Sequence, residues 1–102
     1  MATMREWFSD FTDRHGPVLA VVVGQGWDDD GWPDVARNEV LHPPFPDDFL
    51  DHPFSDDVGF AGCPPVFAWS ESHVFAVHEE YDGATLWMAV PRDPVNCQPS
   101  MI

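Results

Sequence analysis

Between Pro65 and Val90 the chain reads PVFAWSESHVFAVHEEYDGATLWMAV. This stretch constrains the fold more than any other, because it spells three short strands joined by tight connections. Tyr81-Asp82-Gly83-Ala84 sets an Asp-Gly pair between two apolar runs, the sequence form of a two-residue hairpin. Both central residues of a type I′ turn need positive φ, which Gly adopts freely and Asp better than most. With Asp82-Gly83 as the loop, Val77 is expected opposite Met88, Phe75 opposite Val90 and His78 opposite Trp87. Upstream, Glu71-Ser72 serves as a second connection and sets Trp69 opposite Val74 and Phe67 opposite Ala76. Alternation along the strands then collects Val66, Ala68, Phe75, Val77, Leu86, Met88 and Val90 on one face. The other face receives Phe67, Trp69, Val74, Ala76, His78, Trp87 and Ala89. Both faces are apolar, whereas an antiparallel sheet with one side in water carries polar residues there. Each face therefore needs a cover.

Thr3-Met4-Arg5-Glu6 has the form of a capping box. Met4, Trp7, Phe8 and Phe11 follow at helical spacing and make one narrow apolar stripe. Gly16 and Pro17 stop the helix, giving an expected span of 4–14 and an aromatic stripe able to cover one sheet face. Val18 to Val23, VLAVVV, is a continuous apolar run suited to a strand buried on both faces. A Pro/Asp-rich loop over 27–57 comes next. Its prolines 43, 44, 46 and 53 oppose regular helix or central strand through most of it, and its aromatics Trp27, Trp32, Phe45, Phe49 and Phe54 argue for order against the core. One helix stripe is too narrow for both faces of four strands. Either the loop aromatics fold back on the second face, or a second copy covers it. The tail 95–102 carries no strong signal.

The expected fold is α+β: an N-terminal helix packed on a small antiparallel sheet of about four strands (central strand 18–23 plus meander 66–90), with the long loop, all in one domain over 1–102. The chain is 102 residues long, with 44% hydrophobic and 14% aromatic residues, enough to form a modest core. No apolar run approaches the ~18 residues of a membrane span, and MATMREWFSD is acidic and amphipathic, unlike a signal peptide. A cytoplasmic protein is expected. Cys63 and Cys97 alone make neither a disulfide framework nor a metal site.

No stretch is a catalytic signature. Gly24-Gln25-Gly26 after a strand is half a dinucleotide fingerprint, but GQGWDDDG lacks the helix and repels phosphate. Asp28-Asp29-Asp30-Gly31 resembles part of a calcium loop, yet placing Gly31 at position 6 puts Gly26 at position 1 and Arg37 at position 12, where carboxylates are required. The histidines at 15, 42, 52, 73 and 78 lack zinc-site spacing. Ser70 and Ser72 lie beside His73 in a turn without a nucleophile elbow. No catalysis and no cofactor are expected.

The charge distribution carries the functional expectation. The net charge is −14, with four arginines and no lysine. Such a surface repels nucleic acid and anionic membranes and attracts basic proteins. Residues 28–57 hold ten acids against Arg37, a net −9, while the other 72 residues carry −5. The clustered acids Asp28, Asp29, Asp30, Asp34, Asp47, Asp48, Asp51, Asp56 and Asp57 are the expected partner-binding residues. The expected function is a DNA-mimic-type blocker of a basic nucleic-acid-binding protein, of the anti-CRISPR or anti-restriction kind. An acidic immunity protein or antitoxin against a nuclease toxin has the same physical signature. A halophile-type domain, acidic for solvation alone, is the competing class. A homodimer fits the spare apolar face.

Overall fold

The computed structural model describes residues 2–25, 32–55, 63–79 and 85–99. These form seven elements: α1 (Met4–His15), β1 (Ala20–Val23), β2 (Val40–Leu41), α2 (Asp47–Asp51), β3 (Val66–Trp69), β4 (His73–Glu79) and β5 (Thr85–Pro91). The strands make one antiparallel sheet in the order β2-β1-β3-β4-β5. The arrangement is α+β, a helix on an antiparallel sheet, with a two-residue edge strand added to the four expected.

The expected cap starts α1. Thr3 is extended (φ −134°, ψ 157°) and its Oγ1 accepts from the Glu6 N–H at 3.2 Å, satisfying one of the donors a helix start leaves open. Gly16 ends it at φ 91°, a conformation a β-carbon would strain, and its N–H donates to the Thr12 carbonyl at 2.9 Å. Met4, Trp7, Phe8 and Phe11 are all buried. Strand pairing begins two residues later than expected, at Ala20, although the Leu19 N–H already donates to the Trp69 carbonyl at 2.7 Å.

The β3–β4 register is the expected one, Phe67 opposite Ala76 and Trp69 opposite Val74. Ser70 shapes the connection. Fully buried, its Oγ accepts from the Ser72 and His73 N–H groups at 3.3 and 3.1 Å, the local side-chain bonding that makes serine a turn residue.

The β4–β5 register corrects the expectation by one residue. Phe75 lies opposite Ala89, Val77 opposite Trp87 and His78 opposite Leu86, with Glu79 and Thr85 as the last pair. Five residues separate that pair, which a two-residue loop centred on Asp82-Gly83 does not allow. The Tyr81–Ala84 turn itself lies outside the described residues. A slip of one exchanges the faces of the whole strand: Trp87 and Ala89 join Phe75 on the helix side, and Leu86, Met88 and Val90 move to the other. The energetic reason is visible at Trp87. Its ring stacks on Phe75 (centroids 5.6 Å, planes 19° apart) and meets Phe11 edge-on at 6.2 Å. Aromatic pairs of this kind are worth ~0.5–1.5 kcal/mol each beyond burial.

Phe75 is the hub of the core. It is fully buried and meets Phe8 at 5.2 Å and Phe11 at 5.7 Å, both edge-on. The loop aromatics join this same side. Phe54 packs edge-on against Trp7 at 4.9 Å, Phe45 faces Phe8 at 6.4 Å, and Trp32 lies 6.0 Å from Phe49. An antiparallel bridge between Ala2 and Phe54, with bonds of 2.8 and 2.9 Å, ties the chain start to this layer. The described loop aromatics thus thicken the helix layer and do not cover the second face. Across that face run Ala20 and Val22 of β1, Phe67 and Trp69 of β3, Val74 and Ala76 of β4, and the outward residues of β5. Phe67 is 54% exposed, Val90 41% and Leu86 39%.

Candidate functional site

The described acids of the loop meet on α2. Pro46 takes the position before the helix and Pro53 follows it, so both prolines flank the five residues and neither interrupts them, as helix geometry tolerates. Within DDFLD the side chains divide sharply. Phe49 is 1% exposed and sits in the core, Leu50 packs half-buried against it, and Asp47, Asp48 and Asp51 stand in solvent. Trp32 braces the element from the preceding loop, its ring 4.5 Å from His52 and 5.8 Å from Phe54. Asp47, Asp48 and Asp51 line a shallow hollow of about 520 Å³ with Pro33, His52 and Pro53. Asp34, next to Pro33 in sequence, is exposed. Asp28, Asp29, Asp30, Asp56 and Asp57 lie outside the described residues.

Arg5, on the first turn of α1, is the residue sequence reasoning missed here. Its Nε donates to Asp51 Oδ1 at 2.5 Å, and its Nη2 donates to Asp47 Oδ1 at 3.0 Å and Asp51 Oδ2 at 3.1 Å. Hydrogen bonds from Arg5 hold the Asp51 carboxyl below its ordinary range, and the two carboxylates raise the guanidinium. A separation of 46 residues leaves no local signal for such a fork. It fixes two of the three carboxylates in orientation, and Asp48 stands outside the fork.

The other arginines are also engaged within the molecule. Arg14 lies 5.4 Å over the Trp87 ring, Arg37 donates to the Gly24 carbonyl at 2.8 Å, and Arg92 donates to the Ser70 carbonyl at 2.8 Å. With no lysine in the chain, every arginine has an internal contact, and the field projected outward is that of the carboxylates.

A second concavity, about 530 Å³, opens between α1 and β5 beside Asp10, Arg14, His15, His73 and Trp87. His15 and His73 stack there with centroids 3.8 Å apart. Burial, then His73 and Arg14, push the His15 imidazole below its ordinary value. His73 Nδ1 lies 2.8 Å from Ser72 Oγ. Sequence reading could not join a helix end to a strand start so far along the chain. Among the described residues no three His, Cys, Asp or Glu side chains converge to hold a metal ion. No protein-family model, curated protein or solved structure matches the chain.

Proposed function

We propose that the protein is an acidic binding module that occupies the basic groove of a nucleic-acid-binding protein, as a DNA-mimic inhibitor does. The observation that carries this reading is α2: Asp47, Asp48 and Asp51 stand in solvent on an element whose intervening Phe49 is locked in the core. Carboxylates one helical turn apart lie ~5–6 Å from each other, against one charge per ~3.4 Å along each strand of DNA, and after the Arg5 charge is counted the turn still presents net negative charge. Short Asp side chains on an anchored element lose little freedom on binding, and the Arg5 fork sets two of them in advance, which lowers the cost of association. Nuclease inhibitors of phage or mobile-element counter-defence and immunity proteins against nuclease toxins share this chemistry.

The test is displacement of labelled duplex DNA from a panel of purified basic nucleases, RNA-guided and restriction enzymes included. The wild-type chain displaces DNA from at least one member, and displacement weakens as salt rises because surface charge is screened. D47N/D48N/D51N, similar in size and folded, loses at least about tenfold in potency. Glu71→Gln, on an exposed acid outside the loop, changes little. A triple variant as potent as wild type, or no displacement from any member at low salt, removes the reading.

A further inference from the structure

We infer that the open face of the sheet is a docking surface for a second copy of this chain. The face is built as an interior, yet Phe67, Leu86 and Val90 stand in solvent and Trp69 is only half-buried. Phe67 and Trp69 form a ridge along β3, their rings 6.2 Å apart, and Phe67 is more than half exposed. Leu86 and Val90 extend the apolar surface across β5. A monomer in water seldom keeps an uninterrupted patch of this kind without a use for it.

Size and relief favour a second copy. Four strands ~4.8 Å apart, each contributing about five residues at ~3.3 Å, give roughly 300 Å² in projection, and roughly 500 Å² once side-chain relief is counted. Two copies then bury about 1,000 Å² together, the size of a weak, transient interface. The ridge also has its own complement. Ala20 lies beside Trp69 on β1, and Ala76 lies beside Phe67 on β4, so low points flank the ridge on both sides. In a two-fold, isologous contact each ridge enters the other copy's low ground, with the two sheets aligned as in a β-sandwich. Apart from His78, which the register sets opposite Leu86 at one end of β4, the strand positions on this face are apolar, so the face offers little charge signature for a foreign partner. In this arrangement α2 and its acids, packed on the other side of the sheet, face outward from both copies.

The sign of the salt effect separates self-association from capture of a basic partner. Two chains of net charge −14 repel, so salt strengthens their association, whereas salt weakens binding to a basic groove. Sedimentation velocity from about 1 to about 500 µM, in low salt and about 0.5 M NaCl, should show the mass rising from 11.5 kDa toward twice that, with a dissociation constant of roughly 1–100 µM and the dimer favoured by salt. Phe67→Glu and Leu86→Glu, both at exposed positions, should each stay monomeric with unchanged circular dichroism. Isotope-filtered NMR on the wild-type mixture should show contacts between the Phe67 ring of one copy and the Ala76 or Ala20 methyl of the other, which tests the geometry even if a variant fails to fold. A wild-type monomer throughout both salt series, a dimer indifferent to both substitutions, or intermolecular contacts confined to other surfaces overturns the inference.

Discussion

Replacing Phe49 by Ala tests the link between the core and the acidic surface. Five residues cannot sustain a helix alone, and α2 has no side-chain cap at its start. Its order must come chiefly from the one ring it buries, with the half-buried Leu50 and the Arg5 fork adding to it. Removing a buried Phe costs ~3–5 kcal/mol, the transfer term plus the cavity left behind. Phe49 is 1% exposed and has Trp32 as its aromatic neighbour at 6.0 Å, so about 3–4 kcal/mol is expected, out of a total of ~5–15 kcal/mol for a domain of this size. At ~4–8 °C per kcal/mol the melting temperature should fall by at least about 12 °C. Urea unfolding followed by tryptophan fluorescence gives the free energy directly, and Phe49→Leu should recover most of it. A five-residue helix deprived of its buried ring is expected to open before the sheet does, so F49A at a temperature where the sheet remains folded should also lose the DNA-displacing activity proposed above. A loss below ~1 kcal/mol, with the slope unchanged, would refute the claim that the core fixes α2.

The titrating groups give two more expected outcomes. Burial pushes the Cys63 thiol up to about 12, so it stays protonated and unreactive, while Cys97 is exposed; mass spectrometry after brief iodoacetamide treatment should find one adduct on the native protein, at Cys97, and two in guanidinium. The folded state holds His15 neutral below its ordinary value of 6.5. The unfolded chain therefore takes up this proton first. The stability His15 contributes is complete above pH 6.5 and is lost as pH falls below it, whereas the Arg5-bound Asp51, whose unfolded value is 3.8, gives way only at lower pH. Urea midpoints at about pH 7.5, 6.5 and 5.5 should decline for wild type and decline less for His15→Gln; equal slopes would exclude His15 as the source.

The sequence made legible whatever a short stretch decides by itself. Thr3 and Glu6 announce the helix start, and Gly16 its end. Glu71-Ser72 fixes the β3–β4 register because the neighbouring serine hydroxyl closes that connection locally. The β5 register was illegible for a definite reason. Trp87 and Met88 are both apolar, as are Leu86 and Ala89, so the pattern does not prefer either face and the turn was left to decide. The three-dimensional decision went to the ring that could stack on Phe75. The short helix was hidden because Pro46 and Pro53 read as breakers, when each stands just outside the turn it borders. Of the acidic surface, the sequence showed that Asp47, Asp48 and Asp51 cluster in a charged loop. It could not show that Arg5, arriving from the other end of the chain, would grip two of them.

The position of β1 has a consequence for how the chain emerges during synthesis. Both neighbours of this strand, β2 and β3, lie after it in sequence. The run VLAVVV therefore leaves the ribosome without a partner, and its main partner, Val66–Trp69, is complete only 46 residues later, from Val23 to Trp69. At ~5–20 residues per second this leaves a sticky, β-prone segment without its main partner for roughly 2–9 s. Directly behind it emerges the acidic, proline-rich stretch, the composition that keeps exposed strands from joining one another. Charge of that density opposes edge-to-edge pairing between neighbouring chains, so the stretch that follows β1 is of the kind that keeps such a strand single until the meander arrives to close the sheet.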